Sequence, residues 1–100
     1  MAIQHIGVIG AGQMGNGIAQ VAACAGFQVT LVDIKQAFLD KAKENIQTSL
    51  EKLVSKERLS QSESQNALSR INFHTSMQEV SEADLVIEAV PEILDLKNSI

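Results

Sequence analysis

A run of glycines between an apolar stretch and a helical pattern constrains the fold more than any other feature. Five glycines fall within eleven residues, in the segment GVIGAGQMGNG. A glycine inside a helix or strand costs about 0.5–1 kcal/mol relative to alanine, so such a cluster needs a reason. Part of the segment has the spacing G-x-G-x-x-G, which is formed by Gly10, Ala11, Gly12, Gln13, Met14 and Gly15. This spacing allows a tight turn, close approach of a diphosphate to the backbone and close packing of the following helix.

The segments around this loop alternate between strand and helix patterns. We predict strands at 3–9, 27–32, 71–74 and 83–90, and helices at 14–25, 36 to about 58, 61–69 and 93–100, with one helical turn at 76–80. Gly26 stands where a glycine ends a helix, and Ser60 with Glu63 fits a capping box. Apolar strands that alternate with helices predict a parallel sheet covered on both faces. The fold class is therefore α/β, a Rossmann-type doubly wound sheet.

The end of the chain bears on how much of that fold is present. The strand at 83–90 is strongly apolar, and no fifth strand follows it to cover its edge. Complete domains avoid an exposed apolar edge. We therefore expect residues 1–100 to be the N-terminal portion only of a dinucleotide-binding domain.

Apolar residues at helical spacing predict which faces of the first two helices are buried. In the first helix the spaced residues are Met14, Ile18, Val21, Ala22 and Ala25. In the second they are Leu39, Ala42, Ile46, Leu50 and Leu53. Cys24 lies in the first helix, and we interpret it as an inert core residue.

Composition narrows the functional classes. Hydrophobic residues make up 45% of the chain, and no apolar run is long enough to cross a membrane. The net charge of −4 argues against attraction to nucleic acid. The lone Cys24 cannot form an internal disulfide, and the N-terminus lacks an export pattern. We expect a cytoplasmic protein.

Asp33 follows the second strand at about the twenty-residue spacing that the glycine pattern requires. A carboxylate there can accept hydrogen bonds from the adenosine ribose hydroxyls and would repel a 2′-phosphate. NAD is therefore expected rather than NADP, although the neighbouring Lys35 weakens that preference slightly. The alternative is a structural glycine turn with an aspartate that caps the next helix, which requires three spacings to agree by accident.

Two longer stretches carry a family resemblance. The segments IGVIGAGQMGNGIAQVAACAGFQVTLVDI and ADLVIEAVPEILDLKNSI, together with the long helix between them, resemble the N-terminal part of the L-3-hydroxyacyl-CoA dehydrogenase family. That resemblance covers essentially the whole chain. It implies hydride transfer between NAD and the 3-hydroxyl of a 3-hydroxyacyl-CoA in fatty acid or butanoate metabolism. It also implies cofactor contacts from the glycine loop, Asp33, Glu92 and Lys97. From the residues alone, Glu92 and Lys97 would be solvated helix-start residues.

The same resemblance implies that Ser49 and Lys56 contact the CoA part of the substrate. Ser49, Lys52 and Lys56 also fall on one stripe of the second helix, where a hydroxyl and two ammonium groups could hold phosphates. Without the resemblance, an ordinary solvated lysine face is the better interpretation. The partners implied are the 3-hydroxyacyl-CoA and the 3-ketoacyl-CoA, and the family's helical second domain implies a homodimer.

The family's catalytic pair, a histidine oriented by a glutamate, belongs downstream of the fourth strand. His5 begins the first strand and His74 ends the third, so we assign neither to catalysis. Neither has metal-ligand spacing with the other or with Cys24. We therefore predict no catalytic residue and no metal site, and we expect residues 1–100 alone to be inactive.

Two alternatives stay open at this point. One is a dehydrogenase of a 3-hydroxy acid without CoA, such as a carnitine- or gulonate-type enzyme, against which Ser49 and Lys56 argue. The other is a non-catalytic NAD-binding or structural relative, as in lens crystallins related to this family. A histidine downstream of residue 100, followed by a glutamate about a dozen positions later, would favour acid–base chemistry.

Overall fold

The computed structural model describes residues 3–89 as strands and helices that alternate along the chain. The strands are β1 (His5–Ile9), β2 (Gln28–Val32), β3 (Ile71–His74) and β4 (Leu85–Glu88). The helices are α1 (Gln13–Cys24), α2 (Gln36–Ser55) and α3 (Gln61–Ser69), and a 3₁₀ helix (Met77–Val80) precedes β4. These confirm the type and order of every element predicted within the described range. The predicted helix at 93–100 and the end of the predicted fourth strand, Val90, lie outside the described residues.

The four strands form one parallel sheet in the order β3-β2-β1-β4. His5 pairs with Gln28 across β1 and β2, and Ile6 pairs with Leu85 across β1 and β4. The chain moves outward in one direction from β1 to β3 and then crosses to the other side of β1. This reversal creates a crevice at the carboxyl ends of β1 and β4, the position where doubly wound sheets bind ligands. The Rossmann-type fold class is confirmed.

The two faces of the sheet are covered unequally within residues 3–89. Ile6, Val8 and Leu31 point to the face that carries the α-helices, and they belong to one buried apolar cluster with residues of all three. Gly7 points to the opposite face, where the 3₁₀ helix lies. A Cβ at Gly7 would come within 3.0 Å of Val80 Cγ1, so glycine lets the 3₁₀ helix pack closely. The predicted cover of both faces is only partly present in this range.

The buried face of α1 matches the predicted one only in part, at Ala22 and at Ile18, which packs against the core. The residues of α1 that pack into the interior are Gly15, Ala19, Ala22 and Ala23. Met14 and Val21, which the apolar spacing placed on the buried side, are 58% and 70% exposed. Small residues let α1 lie close to the sheet, and this turns its larger residues outward. The larger residues line an open groove, together with Phe27 and Ile87.

The prediction for Cys24 was wrong. Cys24 is exposed at the last position of α1, one residue beyond the buried Ala23. Partial burial raises the pKa of its thiol, and the charge of Arg70 acts in the opposite direction. The Arg70 guanidinium itself donates to the carbonyl of Ala23 over 2.8 Å. Cys24 therefore borders a helix terminus and is not part of the core.

The second helix buries the predicted face but ends earlier than predicted. Leu39, Ala42, Ile46 and Leu50 are buried, and Leu53 packs against the same cluster. The helix ends at Ser55 with Lys56 as its C-cap, three residues before Arg58. Glu57 then adopts a positive φ of 59°, which turns the chain. The backbone N–H of Arg58 donates to the carbonyl of Leu53 and closes this end. The capping box of Ser60 and Glu63 is confirmed at the start of α3.

Candidate functional site

The glycine loop lies at the carboxyl end of β1, between the sheet and α1. Gly10 has a φ of 103°, a conformation that L side chains rarely adopt. Its N–H donates to the carbonyl of Val32 over 2.7 Å. The end of β2 thus holds the first residue of the loop in place and directs the chain into α1.

A side chain would be blocked at Gly15 but would meet no obstacle at Gly12 within residues 3–89. A Cβ at Gly15 would collide with the carbonyl oxygen of Gly10, so only glycine allows α1 to start this close to the loop. A Cβ at Gly12 would meet nothing within 4 Å among the described residues, which leaves open space in front of its backbone. Gly15 therefore serves helix packing, whereas the space at Gly12 is available to a ligand.

The first turn of α1 presents backbone N–H groups to that open space. Gly12 is the N-cap and makes no side-chain cap hydrogen bond, and the first turn contains no acidic residue. The amides of Gln13, Met14 and Gly15 lack partners inside the helix because of its geometry. These amides and the positive end of the helix dipole favour an anion. The residues present therefore fit the diphosphate of a dinucleotide.

Asp33 stands beside this helix start. Its Oδ2 accepts the N–H of Ala11 over 2.9 Å, and its Oδ1 accepts the N–H of Lys35 over 3.0 Å. A carboxylate oxygen can accept more than one hydrogen bond, so both oxygens keep capacity for ribose hydroxyls. The Lys35 ammonium lies over the ring of Phe38, 5.3 Å from its centroid. Asp33 therefore both fixes the loop and presents negative charge next to it.

Ile34 is an exposed apolar residue beside the candidate site that the sequence reasoning did not identify. It follows Asp33 directly and is 76% exposed, although it is aliphatic. An exposed apolar side chain beside Asp33 is a surface on which a planar ring could pack. An isoleucine next to a strand gives no such signal, because the same residue type is ordinary in a buried strand.

The predicted CoA contacts lie on α2 and at its end. Ser49 is half-buried, and its Oγ accepts a hydrogen bond from Gln20 Nε2 of α1 over 2.9 Å. Lys52 is exposed in the last turn of the helix. Lys56 is exposed at the C-cap, and its N–H donates to the carbonyl of Lys52. The three residues thus occupy the C-terminal part of α2, although Lys56 lies just past the last helical residue.

The other residues considered in the sequence analysis either lie outside the described residues or lie away from the crevice between β1 and β4. Glu92 and Lys97 lie outside the described residues. His5 is at the amino end of β1, where its Nε2 lies 2.7 Å from Thr30 Oγ1. His74 ends β3, which is separated from β4 by two strands, and its Nε2 is 3.9 Å from Glu79 Oε1. Neither histidine therefore lies at the crevice between β1 and β4.

Neither a metal-ligand cluster nor a membrane-spanning helix is found within the described residues. No group of three or more His, Cys, Asp or Glu side chains within residues 3–89 could hold a metal ion. In the same range, no helix has both the length and the apolar character needed to cross a membrane.

Comparison with known proteins identifies the family. Residues 5–100 match the family described as 3-hydroxyacyl-CoA dehydrogenase, NAD binding domain. The chain belongs to this family. The resemblance inferred from the sequence is confirmed, and so is NAD as the cofactor of the domain. The family match includes the glycine loop and Asp33, whose individual contacts with NAD remain predictions.

Individual relatives agree with this assignment. A probable 3-hydroxybutyryl-CoA dehydrogenase from Deinococcus radiodurans is 50% identical over 94 residues, which cover 94% of this chain. A 3-hydroxybutyryl-CoA dehydrogenase from Mycobacterium tuberculosis is 42% identical over 99 residues, or 99% of the chain. The crystal structure of (S)-3-hydroxybutyryl-CoA dehydrogenase from Ralstonia eutropha superposes with a TM-score of 0.89 and 43% identity over 96% of the chain.

The chain spans about a third of the length of these relatives. It covers 34% of the Deinococcus protein, 35% of the Mycobacterium protein and 34% of the Ralstonia structure. The comparisons therefore establish the NAD-binding family for the matched part.

Proposed function

We propose that this chain is the N-terminal, NAD-binding part of an NAD-dependent 3-hydroxyacyl-CoA dehydrogenase. The intact protein would transfer a hydride between NAD and the 3-hydroxyl of a 3-hydroxyacyl-CoA, interconverting it with the 3-ketoacyl-CoA. The observation that carries this proposal is the joint placement of Asp33 and the open start of α1, tied together by the 2.9 Å hydrogen bond to Ala11. The dehydrogenase names of the relatives support the choice of substrate.

The chain's own residues would bind the cofactor at its adenosine and diphosphate parts. The amides of Gln13 and Met14 would donate to the diphosphate at Gly12, where no side chain intrudes. The Asp33 carboxylate would accept from the ribose hydroxyls, and Ile34 would pack against the adenine. NAD, when bound, supplies the hydride acceptor for the oxidation. Glu92 and Lys97 are proposed to complete the cofactor site, as the family resemblance implies.

The substrate contacts in this chain would come from α2. Ser49 can hydrogen-bond to the CoA moiety, and Lys56 can pair with one of its phosphates. No residue of the chain is proposed to catalyse proton transfer, since the resemblance implies a catalytic histidine downstream of the fourth strand. We also propose that the intact protein is cytoplasmic and a homodimer. Its molar mass in solution tests the dimer, and fractionation of cells that express it tests the compartment.

The test is steady-state kinetics of the intact protein with NAD and 3-hydroxybutyryl-CoA, followed by the absorbance of NADH. Wild-type protein is expected to be active, and residues 1–100 alone are expected to be inactive. Lys56→Glu should raise KM for the acyl-CoA by about tenfold, because charge-assisted bonds to phosphate contribute about 1.5–3 kcal/mol. The dissociation constant for NAD should not change.

Lys43→Glu is the matched control on the same helix. The Lys43 ammonium lies 6.0 Å from the centroid of Phe73, on the side of α2 that faces β3. This variant should keep the wild-type KM for the acyl-CoA. Lack of NAD-dependent oxidation by the intact protein would contradict the proposed activity. Weakened NAD binding with unchanged acyl-CoA KM in Lys56→Glu would contradict the substrate assignment.

A further inference from the structure

One side-chain hydrogen bond joins the proposed cofactor helix to the proposed substrate helix. Gln20 Nε2 on α1 donates to Ser49 Oγ on α2 over 2.9 Å, and both side chains are half-buried. Gln20 lies eight residues after Gly12, which corresponds to about 12 Å along the axis of α1. The bond therefore fixes Ser49 relative to the helix start that is proposed to bind the diphosphate.

This bond also determines how the Ser49 hydroxyl can be used. A serine hydroxyl has one proton to donate and two positions at which it can accept. Serines inside helices often donate that proton to the backbone carbonyl one turn back. In the part of the chain that the structure describes, no hydrogen bond uses the Ser49 proton. Because Gln20 occupies an acceptor position, the proton remains available to an acceptor outside the protein.

We propose that Gln20 is a positioning residue for substrate binding, because it orients the Ser49 hydroxyl as a hydrogen-bond donor toward the acyl-CoA. This inference rests on the proposed function, in which Ser49 contacts the CoA moiety. Gln20 itself does not touch the substrate in this arrangement. It holds Ser49 from the side of α1 and leaves the proton of the hydroxyl directed at a carbonyl or phosphate oxygen of the ligand.

The decisive variant is Gln20→Glu in the intact protein. The new carboxylate has nearly the same shape but only accepts hydrogen bonds, so the Ser49 proton would turn inward to meet it. We expect KM for 3-hydroxybutyryl-CoA to rise about fivefold, the value of a typical hydrogen bond. The kcat and the dissociation constant for NAD should stay within about twofold of wild type, in keeping with loss of a binding contact alone.

Three further variants separate orientation of the hydroxyl from other causes. In a Ser49→Ala background, Gln20→Glu should have no additional effect on KM, whereas simple charge repulsion of the substrate would persist there. Gln47→Glu places a carboxylate at an exposed position of the same helix, two residues from Ser49 but on another face, and should keep the wild-type KM. Gln20→Met lacks both charge and donor and should raise KM by a smaller factor, even if the carboxylate variant folds poorly.

The outcomes distinguish this inference from the proposed function. Wild-type activity with an unchanged acyl-CoA KM in Gln20→Glu would overturn the role of Gln20 and leave the dehydrogenase activity standing. An equal KM increase in the presence and absence of the Ser49 hydroxyl would overturn it as well. Absence of NAD-dependent oxidation by the wild-type protein would overturn both. A KM increase that requires Ser49 supports the proposed role.

Discussion

The two ends of the sheet each use an aspartate to hold backbone N–H groups, but in the described residues only Asp33 stands beside the uncapped start of α1. At the carboxyl end, Asp33 accepts from Ala11 and Lys35 through separate oxygens. At the amino end, the Asp84 Oδ2 alone accepts from the N–H groups of Gln4 and His5, over 2.9 and 3.0 Å. Both carboxylates thus link segments that are distant in sequence.

The difference lies in what surrounds each carboxylate. Asp33 stands beside an uncapped helix start and the open space in front of Gly12. Asp84 follows the 3₁₀ helix and connects β4 to the beginning of β1, so its hydrogen bonds serve to fix the sheet edge. An aspartate that binds backbone amides is therefore not by itself a sign of a ligand site. What marks the candidate ligand site is the group of free backbone amides at the start of α1, together with the open space in front of Gly12.

The largest expected effect concerns the glycine that keeps the site at the carboxyl end open. Gly15→Ala would bring a Cβ into the Gly10 carbonyl, and relief of that collision must displace α1 or the loop. Overpacking of this kind costs about 1–3 kcal/mol of unfolding free energy, and loss of the helix position should abolish measurable NAD binding. Urea unfolding and NAD titration of the intact protein measure the two effects.

Gly17 supplies the matched control on the same helix. A Cβ at Gly17 meets nothing within 4 Å in the described structure. Gly17→Ala should therefore raise the unfolding free energy by about 0.5–1 kcal/mol, the difference between glycine and alanine in a helix. Similar behaviour of the two variants would mean that close packing of Gly15 against the loop is not required.

The next largest effect is on NAD affinity, and it distinguishes Asp33 from Asp84. Asp33→Ala should weaken NAD binding about 10- to 100-fold, since hydrogen bonds to a charged group contribute about 1.5–3 kcal/mol. Asp84→Ala should leave the dissociation constant for NAD unchanged and lower only the stability of the protein. Isothermal titration calorimetry of both variants checks this. Equal NAD affinities for the two variants would remove the distinction between the two ends of the sheet.

The smallest effect is a pH dependence at the amino end. The N–H groups of Gln4 and His5 lower the pKa of Asp84 below its ordinary value of 3.8. A carboxyl group whose pKa is lower in the folded state stabilises the fold above pH 3.8 and loses that effect as the pH falls through its folded pKa.

Thermal unfolding of wild type and Asp84→Asn from about pH 6 to about pH 2 measures this contribution. Wild type should be slightly more stable at the upper end of the range, and the difference should disappear at the lower end. A difference that is constant across the range would show that protonation of Asp84 has no part in it.

The order of the elements and the loop at the carboxyl end could be predicted because their causes are local. The positive φ of Gly10 and the collision at Gly15 arise from residues within the loop itself. The capping box at Ser60 is likewise formed by neighbours three residues apart. The position of Asp33 at the end of a strand was predictable from its own segment, and the parallel pairing of β2 with β1 then brings it beside the loop. Local patterns of this kind are visible in the sequence.

Other features of the site depended on packing between distant segments. The spacing of Ser49, Lys52 and Lys56 indicated a polar stripe, but not that Ser49 would bond to Gln20. Exposure of Ile34 depends on which elements surround the end of β2, and the sequence does not reveal that. The contacts of Glu92 and Lys97 remain predictions from the family resemblance.

The sequence by itself determined where a backbone must turn tightly and where a side chain cannot fit, since those limits act between near neighbours. The glycine spacing predicted close packing at Gly15, but only the tertiary structure decided how the buried side continues along α1. Apolar spacing favoured Met14 and Val21, yet Gly15 and Ala19 face the interior because small residues let the helix approach the sheet closely. Two adjacent apolar stripes on one helix satisfy the same periodicity. Only the distance between helix and sheet selects between them.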